Sequence, residues 1–529
     1  MCHKNKMKKA ACLLLILLLA LGVTGCGNSS GEQENKDSKT VVVGVADLRE
    51  IGMLDAMYGS GDILHQELIY EPLVVFGKGG DIQPGLAESW QISPDGKEYT
   101  FTLRQDVKFS DGSDFNADAV LFNVNRWKGA SSTASLDVVN NLIKTDKLND
   151  YTVKMTFSKS YYPYLTELSY PRPLRMMSPN SVDAKGEFIK PIGTGRWMVE
   201  SYDKNKSVLI ANPYYYGEKP QIEKIVVKLI TDPQARLMAM ESGEVDFLAA
   251  PISSENVAAI EKAKDLSILE ADGTETYHFM FNYENPILQD INVRKAINYA
   301  IDKDSIVKNL LDGHGEIAKG LFSERNPYVT AENNLGYEFS TEKAKILLKE
   351  AGYEDSNGDG ILDKNGTPLR LNLVFQSEEF PDWKPVCEYV SSELKKIGID
   401  INLKLQETNA YYDSIWTTRD FDMIIYRTYA DSWNPNGFLT SLYYPPTDGQ
   451  SIAWSDSELN QLLEQVLAST DQTNRQQLYD QIFKRMYDEA MCVPLYYPQK
   501  LYVYNNRLSN LELAPTSYEI LKWEKLQIK

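Results

Sequence analysis

Residues 161–179 read YYPYLTELSYPRPLRMMSP and hold two arginines, Arg172 and Arg175, among tyrosines, prolines and methionines. Arginine keeps its charge at physiological pH, and its planar guanidinium matches a carboxylate through two parallel hydrogen bonds. A charge in such apolar company needs an anion, which either an acid of the protein or a bound ligand can supply. Because the prolines fix φ and remove backbone donors, we predict that this segment, called the strap below, is rigid and non-helical.

The composition of the whole chain indicates a globular protein of more than one domain. Its 529 residues exceed one ordinary domain, so we expect at least two lobes, and 43% of the residues are hydrophobic. The formal net charge of −19 argues against a nucleic-acid partner, whose phosphates require a basic surface. Tyrosine occurs 32 times, against four histidines, and offers apolar area with a polar tip for a ligand pocket.

The N-terminus is typical of an exported lipoprotein. Lysines at positions 4, 6, 8 and 9 precede an apolar run over residues 10–23, which is too short to cross a hydrocarbon core of roughly 30 Å but suits a signal peptide. The following Val-Thr-Gly-Cys resembles a bacterial lipobox, in which the cysteine, here Cys26, is acylated. We therefore predict a lipoprotein signal peptide over residues 1–25 and, because residues 26–39 lack core-forming side chains, a flexible tether there.

Strands alternate with amphipathic helices along the rest of the chain, which favours an α/β fold. A second half begins near residues 277–282, YHFMFN. The predicted strands cover residues 39–45, 99–103, 151–157, 198–202, 222–230, 369–375, 399–405, 421–428 and 493–504. The predicted helices cover residues 115–127, 232–243, 292–301, 303–311, 341–352, 382–397, 456–469 and 474–489.

The sequence lacks the common catalytic motifs. It contains no Gly-rich phosphate loop, no G-x-S-x-G and no H-E-x-x-H, and its histidines are scattered, so we expect structural histidines and no enzyme. No cluster of metal-ligating residues is visible in the sequence, so we expect no transition-metal site built by protein side chains alone. Cys387 and Cys492 fall in different predicted elements, and we expect two buried free thiols.

One short segment resembles a calcium loop. Residues 355–363, DSNGDGILD, match the start of the D-x-[DN]-x-[DN]-G pattern, but the twelfth position, which should be a bidentate acid, is Gly366. Asn-Gly-Asp-Gly also favours a plain turn. We predict a turn that binds calcium weakly or not at all.

Six segments together resemble a known family. They are residues 69–73 (IYEPL), 86–90 (LAESW), 107–114 (VKFSDGSD), 192–197 (IGTGRW), 293–301 (VRKAINYAI) and 421–434. The chain is similar to the large peptide/nickel class of substrate-binding proteins that serve bacterial ABC importers. The resemblance implies an α/β, two-lobed periplasmic-binding-protein-like fold of type II with an extra subdomain in lobe I. Lobe I would contain residues 40–275 and 504–529, lobe II residues 276–503, and the lobes would close over the ligand about two crossing segments.

Two segments point to the nickel-binding branch of that class. The strap resembles one in which an arginine within Pro-Arg-Pro binds a ligand carboxylate, and Arg172 stands at that position. Residues 426–435 resemble the aromatic stretch of the branch. Tyr429 stands where the branch has a tryptophan, and Trp433 stands where it has a tyrosine. Tyr412 and Tyr58 match tyrosines of the pocket, and the remaining candidate ligand-binding residues are the neighbouring Arg175 and Arg427.

The resemblance implies a cargo and partners. The cargo would be nickel or a similar transition metal, held as a small carboxylate-bearing chelate without a direct metal ligand from the protein. The partners would be ABC permease and ATPase subunits, and the protein would be a monomer anchored by its lipid at the extracytoplasmic face of the membrane. No covalent cofactor is expected besides the lipid on Cys26.

The chain departs from the nickel branch at three positions. Thr133 and Leu136 stand where the branch has a second arginine and a tryptophan, and Thr447 stands where it has a histidine that touches the metal. The metal-proximal contacts are therefore weak, and binding of oligopeptides or dipeptides remains the alternative. A secreted peptide hydrolase would need a nucleophile with a positioned base, which the sequence does not offer, whereas a signalling receptor of the same fold stays open.

Overall fold

A computed structural model describes residues 39–58, 62–77, 80–133, 136–252, 256–429, 435–445, 451–515 and 519–529. The predicted signal peptide, most of the tether, Cys26, Trp433 and Thr447 lie outside these residues.

The described strands follow the chain as β1 to β22. They are β1 Thr40–Val45, β2 Val74–Phe76, β3 Ile82–Pro84, β4 Ala87–Ile92, β5 Glu98–Leu103, β6 Leu142–Asn149, β7 Thr152–Phe157, β8 Trp197–Tyr202, β9 Lys206–Ala211, β10 Lys224–Leu229, β11 Phe247–Leu248, β12 Leu266–Asp272, β13 Tyr277–Phe281, β14 Gly315–Ile317, β15 Asp363–Lys364, β16 Thr367–Pro368, β17 Arg370–Phe375, β18 Asp400–Leu405, β19 Met423–Arg427, β20 Cys492–Asn505, β21 Leu508–Ser509 and β22 Gln527–Ile528.

The described helices alternate with these strands, as the sequence predicts. The α-helices are Ile63–Ile69, Ala117–Trp127, Asp137–Asn140, Tyr164–Leu168, Pro233–Glu241, Val257–Ile260, Ile291–Ala300, Lys303–Ser305, Thr341–Glu350, Trp383–Lys395, Thr408–Asp413, Pro435–Leu442, Ser457–Ala468 and Gln472–Asp488. Short 3-10 turns cover Ile51–Leu54, Ser131–Thr133, Pro179–Ser181 and Trp523–Lys525. The predicted helix over residues 303–311 divides into Lys303–Ser305 and a π-helix, Ile306–Leu310; a second π-helix is Ser414–Thr418.

A twelve-stranded mixed sheet runs through the molecule in the order β18-β17-β19-β13-β20-β11-β1-β10-β9-β8, with β12 and β14 also paired to β20. β1 runs parallel to β11, and β17 runs parallel to both β18 and β19. Val41, Val42 and Val43 of β1 are all buried, so both faces of this strand are covered. Consecutive buried β-branched residues are typical of a central parallel strand.

The long strand β20 joins the two halves of this sheet. Near its start Val493 pairs with Phe279 of β13, and near its end Tyr504 pairs with Phe247 of β11. β13 and β20 therefore carry the chain from one half of the sheet to the other.

A separate four-stranded antiparallel sheet has the order β4-β5-β7-β6 and forms the extra subdomain. The helix Ala117–Trp127 accompanies it, and the Asn116 side chain accepts hydrogen bonds from the amides of Asp118 and Ala119. The predicted helix and its cap are thus confirmed.

The buried hydrophobic residues fall into clusters that follow this division. One cluster contains residues from Phe279 to Tyr496, and a second, between Leu73 and Ile192, is the core of the subdomain. A third joins β1 to the C-terminal segment through Leu521 and Trp523. The lobe limits 40–275 with 504–529 and 276–503 stay a prediction, and Tyr502 and Val503 pack with residues such as Phe247 and Leu248 of the first range.

The prediction that the strap is wholly non-helical is wrong. Residues Tyr164–Leu168 form a short helix, and Pro179–Ser181 a 3-10 turn. Pro163 stands at the N-cap of that helix, where its missing amide costs no internal hydrogen bond, and the next proline is Pro171, beyond the helix.

Cys387 and Cys492 are both buried free thiols, as expected. Burial raises the pKa of both, that of Cys492 to about 12, so neither is a reactive thiolate. Among the helices within the described ranges, none has the length and apolar character needed to cross a membrane.

Candidate functional site

The candidate ligand cleft lies where the parallel strands of lobe II end. β17 ends at Phe375, β18 at Leu405 and β19 at Arg427, and in open α/β sheets ligands bind outside the carboxyl ends of strands. Glu379, Tyr412 and Tyr429 follow these three strand ends.

A cavity of about 620 Å³ opens beside the end of β17 and the crossing segments, and none of the predicted ligand-binding residues that the structure describes is among the residues that line it. Its volume lies within the range of about 300–1,000 Å³ that is usual for small-molecule sites. Residues from both lobes and from the crossing segments line it, among them Ala250, Ile252, Glu275, Tyr277, Glu379, Phe380, Trp383 and Lys500.

A buried carboxylate links the crossing segments to lobe II. Glu275 lies 2.9 Å from the Lys500 Nζ and 3.6 Å from the Arg427 Nη1. Burial alone would raise the pKa of Glu275, but the two cations outweigh burial and lower it, so the carboxylate stays charged. Arg427 thus has an acid of the protein as its partner, and it also lies over the ring of Phe380 at 5.8 Å.

Arg175 is held entirely by the protein. Its side chain is 6% exposed, donates to the carbonyl oxygens of Pro171 and Tyr70 at 2.9 Å each, and forms an ion pair with Glu519. Glu519 belongs to the C-terminal segment, so this pair fastens the strap to that segment.

A half-buried acid, Glu67, adjoins this pair. Burial and then the negative charge of Glu519 raise the pKa of Glu67 well above its usual value, although Arg175 opposes this. The Trp523 Nε1 donates to Glu67 at 2.5 Å.

Arg172 occupies a different environment from Arg175. Its side chain is only half-buried, and its charge acts on the carboxylate of Asp62 at the N-cap of the helix Ile63–Ile69. Burial raises the pKa of Asp62, but His65, whose Nδ1 lies 3.0 Å away, and Arg172 together lower it. Arg172 therefore lies partly exposed near an ionised acid at the start of this helix.

The predicted tyrosines come from three elements on both lobes. Tyr412 donates to Glu379 at 2.6 Å, and the Tyr429 hydroxyl lies 2.8 Å from the Ser441 Oγ. Both pack against the core of lobe II, whereas Tyr58 is 43% exposed on lobe I. Gln66 donates to the backbone oxygen of Tyr58 at 3.4 Å, so Tyr58 and Arg172 both adjoin the helix Ile63–Ile69.

Two of the three departures from the nickel branch have internal roles. Thr133 is buried and its hydroxyl donates to the Trp127 carbonyl at 2.7 Å. Leu136 packs against the core of the subdomain. Neither supplies a polar group in place of the arginine or tryptophan of that branch.

The histidines have structural surroundings. His65 is buried with its Nε2 2.5 Å from the Ser207 Oγ. His278 is buried in β13, and burial lowers its pKa to about 4. His314 lies 3.6 Å from Glu270. Across the described ranges, no three His, Cys, Asp or Glu side chains are grouped so as to hold a metal ion.

The calcium-like loop is closed by its own hydrogen bonds. The Asp355 carboxylate accepts from the amides of Gly358 at 2.8 Å and Gly360 at 3.0 Å. Both glycines have a positive φ, which a turn of this sequence requires. The Asp355 carboxylate thus stabilises the turn through the loop's own amides.

Sequence reasoning did not single out Glu275, Lys500 or Glu379. A lysine inside the otherwise apolar and aromatic run of β20 was a signal that could have marked Lys500. Its partner Glu275 is distant in sequence, and the pairing of β12 and β13 with β20 brings them together.

Comparison with known proteins identifies the family. The model of "Bacterial extracellular solute-binding proteins, family 5 Middle" matches residues 81–450. The nickel-binding periplasmic protein of Escherichia coli (strain K12) is 34% identical over 481 residues, which cover 88% of this chain and 90% of that protein. The dipeptide-binding protein of the same organism is 27% identical over 454 residues, covering 80% and 82%.

A solved structure agrees with this. The structure of NikA from Brucella suis in complex with Fe(III)-EDTA superposes with a TM-score of 0.83 at 33% identity and covers 92% of this chain and 100% of that chain. The chain therefore belongs to the family 5 extracellular solute-binding proteins, two-lobed extracytoplasmic components of bacterial ABC importers that bind ligands and are not enzymes.

Proposed function

We propose that this protein captures nickel, or a similar transition metal, as a small carboxylate-bearing chelate between its lobes and delivers it to its permease. The observation that carries the proposal is the similarity to a nickel-binding relative, which is 34% identical and covers 88% of this chain. Arg172 would be the carboxylate anchor, since its side chain is half-buried beside Asp62, whereas Arg175 pairs with Glu519 and two backbone carbonyls. A half-exposed guanidinium on a proline-flanked segment is suited to a ligand carboxylate.

The chelator would supply most of the metal ligands. Within the part of the chain that the structure describes, no cluster of three metal-ligating side chains exists to replace it. Closure of the lobes would exclude water and thereby strengthen the pair between Arg172 and the carboxylate. Tyr58, Tyr412, Tyr429 and Trp433 would contribute apolar walls with polar tips, while Arg175 and Arg427 would hold the surrounding acids in place.

The named relatives support a chelate as the cargo. One relative is a nickel-binding protein, and the superposed NikA structure holds iron in EDTA, a ligand that carries carboxylates. These facts concern those proteins, and they favour the same chemistry for this chain.

Capture of a short peptide is the second candidate. The dipeptide-binding relative and the cavity of about 620 Å³ favour it, as does the absence of a second arginine at Thr133. A peptide also carries a terminal carboxylate that Arg172 could hold, so the discriminating property is the metal.

The location and partners complete the proposal. Acylated Cys26 would anchor a monomer to the outer face of the cell membrane, where it would meet ABC permease and ATPase subunits. The charged start, short apolar run and Val-Thr-Gly-Cys support the anchor.

Native mass spectrometry of the protein purified from its own cells tests the function. We expect a bound species whose mass fits a metal with a carboxylate chelator and whose isotope pattern is that of nickel or a similar metal. Recovery of metal-free peptides alone would replace this proposal with the peptide one.

A further inference from the structure

The tyrosines at the start of the strap pack into two different hydrophobic cores. Tyr161 and Tyr164 are buried in the core of the subdomain, where Tyr164 stacks on Phe157 with ring centroids 3.8 Å apart. Tyr162, between them in sequence, packs instead against the core formed by residues from Phe279 to Tyr496. One side chain of the strap thus belongs to the packing of the opposite lobe.

The hydroxyl of Tyr162 is bonded within lobe II. It lies 2.6 Å from the Tyr479 hydroxyl and donates to the Asn436 Oδ1 at 3.1 Å. A hydroxyl has one proton, so Tyr479 is the donor in the first of these bonds. Burial raises the pKa of Tyr162 well above 10, so this proton is retained at physiological pH.

The ring and backbone of Tyr162 add further contacts to lobe II. The Arg475 guanidinium lies 4.8 Å from the ring centroid, and the ring of Tyr328 meets it edge-on at 6.2 Å. The Tyr162 amide donates to the Leu467 carbonyl at 3.1 Å, and the Ser160 hydroxyl donates to the Ala468 carbonyl at 3.3 Å. These bonds fix the strap to the end of the helix Ser457–Ala468.

Each of these contacts joins the strap to lobe II. The crossing strands β13 and β20 connect the lobes covalently, whereas Tyr162 connects them through reversible contacts. The same strap carries Arg172 ten residues further on and is tied to lobe I by bridges from Glu71 to Met176 and from Met177 to Gly193. Tyr162 and Arg172 thus belong to one segment whose two ends are both packed on lobe I.

We propose that Tyr162 is a positioning residue that latches lobe II against the strap and so couples lobe closure to the placement of Arg172. The latch itself requires only the two-lobed fold, whereas its effect on ligand affinity rests on the proposed function. Loss of one buried hydrogen bond should shift the closed-to-open ratio by about two- to tenfold.

Hydrogen exchange at the Tyr162 amide measures the latch without any ligand. In the full-length protein, Tyr479→Phe removes the inter-lobe hydroxyl bond from lobe II and should speed exchange of this lobe I amide about two- to tenfold. Tyr162→Phe removes the same bond and also the bond to Asn436, so it should speed exchange at least as much, and adding Tyr479→Phe to it should change little further. Tyr164→Phe is the matched control, since its hydroxyl donates to Lys159 within lobe I.

The outcomes separate the latch from the proposed cargo. Unprotected exchange at Tyr162 in the wild type, or no response to Tyr479→Phe, would overturn the latch. With nickel and histidine as the probe, affinity should fall about two- to tenfold in Tyr162→Phe at unchanged melting temperature. If the variants speed exchange at the Tyr162 amide but nickel with histidine does not bind to the wild type, the cargo proposal fails while the latch stands. If Tyr162→Phe binds nickel with histidine as tightly as the wild type, the coupling between the latch and ligand binding is overturned.

Discussion

At the scale of single residues, two arginines three positions apart have different environments. Arg175 points its donors at Pro171, Tyr70 and Glu519 and is buried, so the protein neutralises it. Arg172 lies half-exposed beside Asp62. Burial with a complete set of acceptors makes the first a structural residue, and in the proposed function the second, which is partly exposed, would pair with a ligand carboxylate.

Replacing Arg172 with alanine should nearly abolish ligand binding and leave the fold intact. Removing one partner of a buried charge pair costs about 2–5 kcal/mol, or roughly thirty- to several-thousand-fold in affinity. Calorimetric titration with nickel plus histidine measures the loss, and circular dichroism checks the fold. Arg370→Ala removes an exposed arginine that pairs with Asp400 and is the control. An affinity loss below threefold in Arg172→Ala would refute its role as the anchor.

His278 should make the protein less stable as the pH falls from 6.5 towards 4. Burial holds its folded pKa at about 4, whereas the unfolded chain binds a proton near 6.5, so protonation favours the unfolded state in this window. The stability lost between pH 7 and pH 5 amounts to roughly 2 kcal/mol. In His278→Gln, the unfolding free energy measured with denaturant should fall between pH 7 and pH 5 by roughly 2 kcal/mol less than in the wild type. If the free energy of unfolding changes with pH as much in His278→Gln as in the wild type, the buried imidazole does not resist protonation. His314→Gln is the control for the loss of an imidazole.

At the scale of elements, the 355–363 loop should bind calcium at roughly millimolar affinity or more weakly. Gly366 offers no carboxylate at the closing position, and Asp355 is occupied by two backbone amides. A calorimetric titration that found a micromolar site, and its loss in Asp359→Ala, would contradict this prediction.

The regular elements were largely predictable because their signals are local. A run of valines predicts β1. The alternation of apolar and polar residues in β5 and the Asn116 cap also depend on only a few neighbouring residues. The polar strand β6, which forms an edge of the subdomain sheet, was not predicted. It is mostly exposed, so its residues show little alternation of apolar and polar side chains. The helix in the strap was missed because its prolines dominated the prediction, although they flank the helix rather than interrupt it.

The site was less predictable than the elements. The candidate residues Arg172, Tyr412 and Tyr429 came from a resemblance, and periodicity alone would not have selected them. The pair of Glu275 with Lys500 and the bond of Tyr162 to Tyr479 join residues hundreds of positions apart. Contacts of this kind depend on strand pairing and lobe packing, which leave no local trace in the sequence.

At the scale of the whole molecule, the crossing strands and the strap act at different places between the lobes. β13 and β20 carry the chain across, with Glu275, Lys500 and Arg427 forming a charged group beside them. Few covalent connections allow lobes to rotate as rigid bodies, and the strap then meets lobe II through Tyr162. Ligand binding and closure are thus expected to reinforce one another.

Replacing Cys26 with alanine should release the protein from the membrane or block its processing, because the lipid is expected to be the anchor. Fractionation of cells into membrane and soluble parts, with the mass of the mature N-terminus, measures both effects. A variant that is still cleaved and stays with the membrane would exclude lipid anchoring through this residue.

The most direct test of the central claim is a calorimetric comparison of three ligands on the wild-type protein: nickel with histidine, bare nickel ion, and a metal-free dipeptide. We predict tight binding of nickel with histidine and poor binding of the other two, because in the proposed function Arg172 would pair with a carboxylate of the chelator and the chelator would hold the metal. Bare nickel binding as tightly as the chelate, or tight binding of the dipeptide with no response to nickel and histidine, would contradict the account.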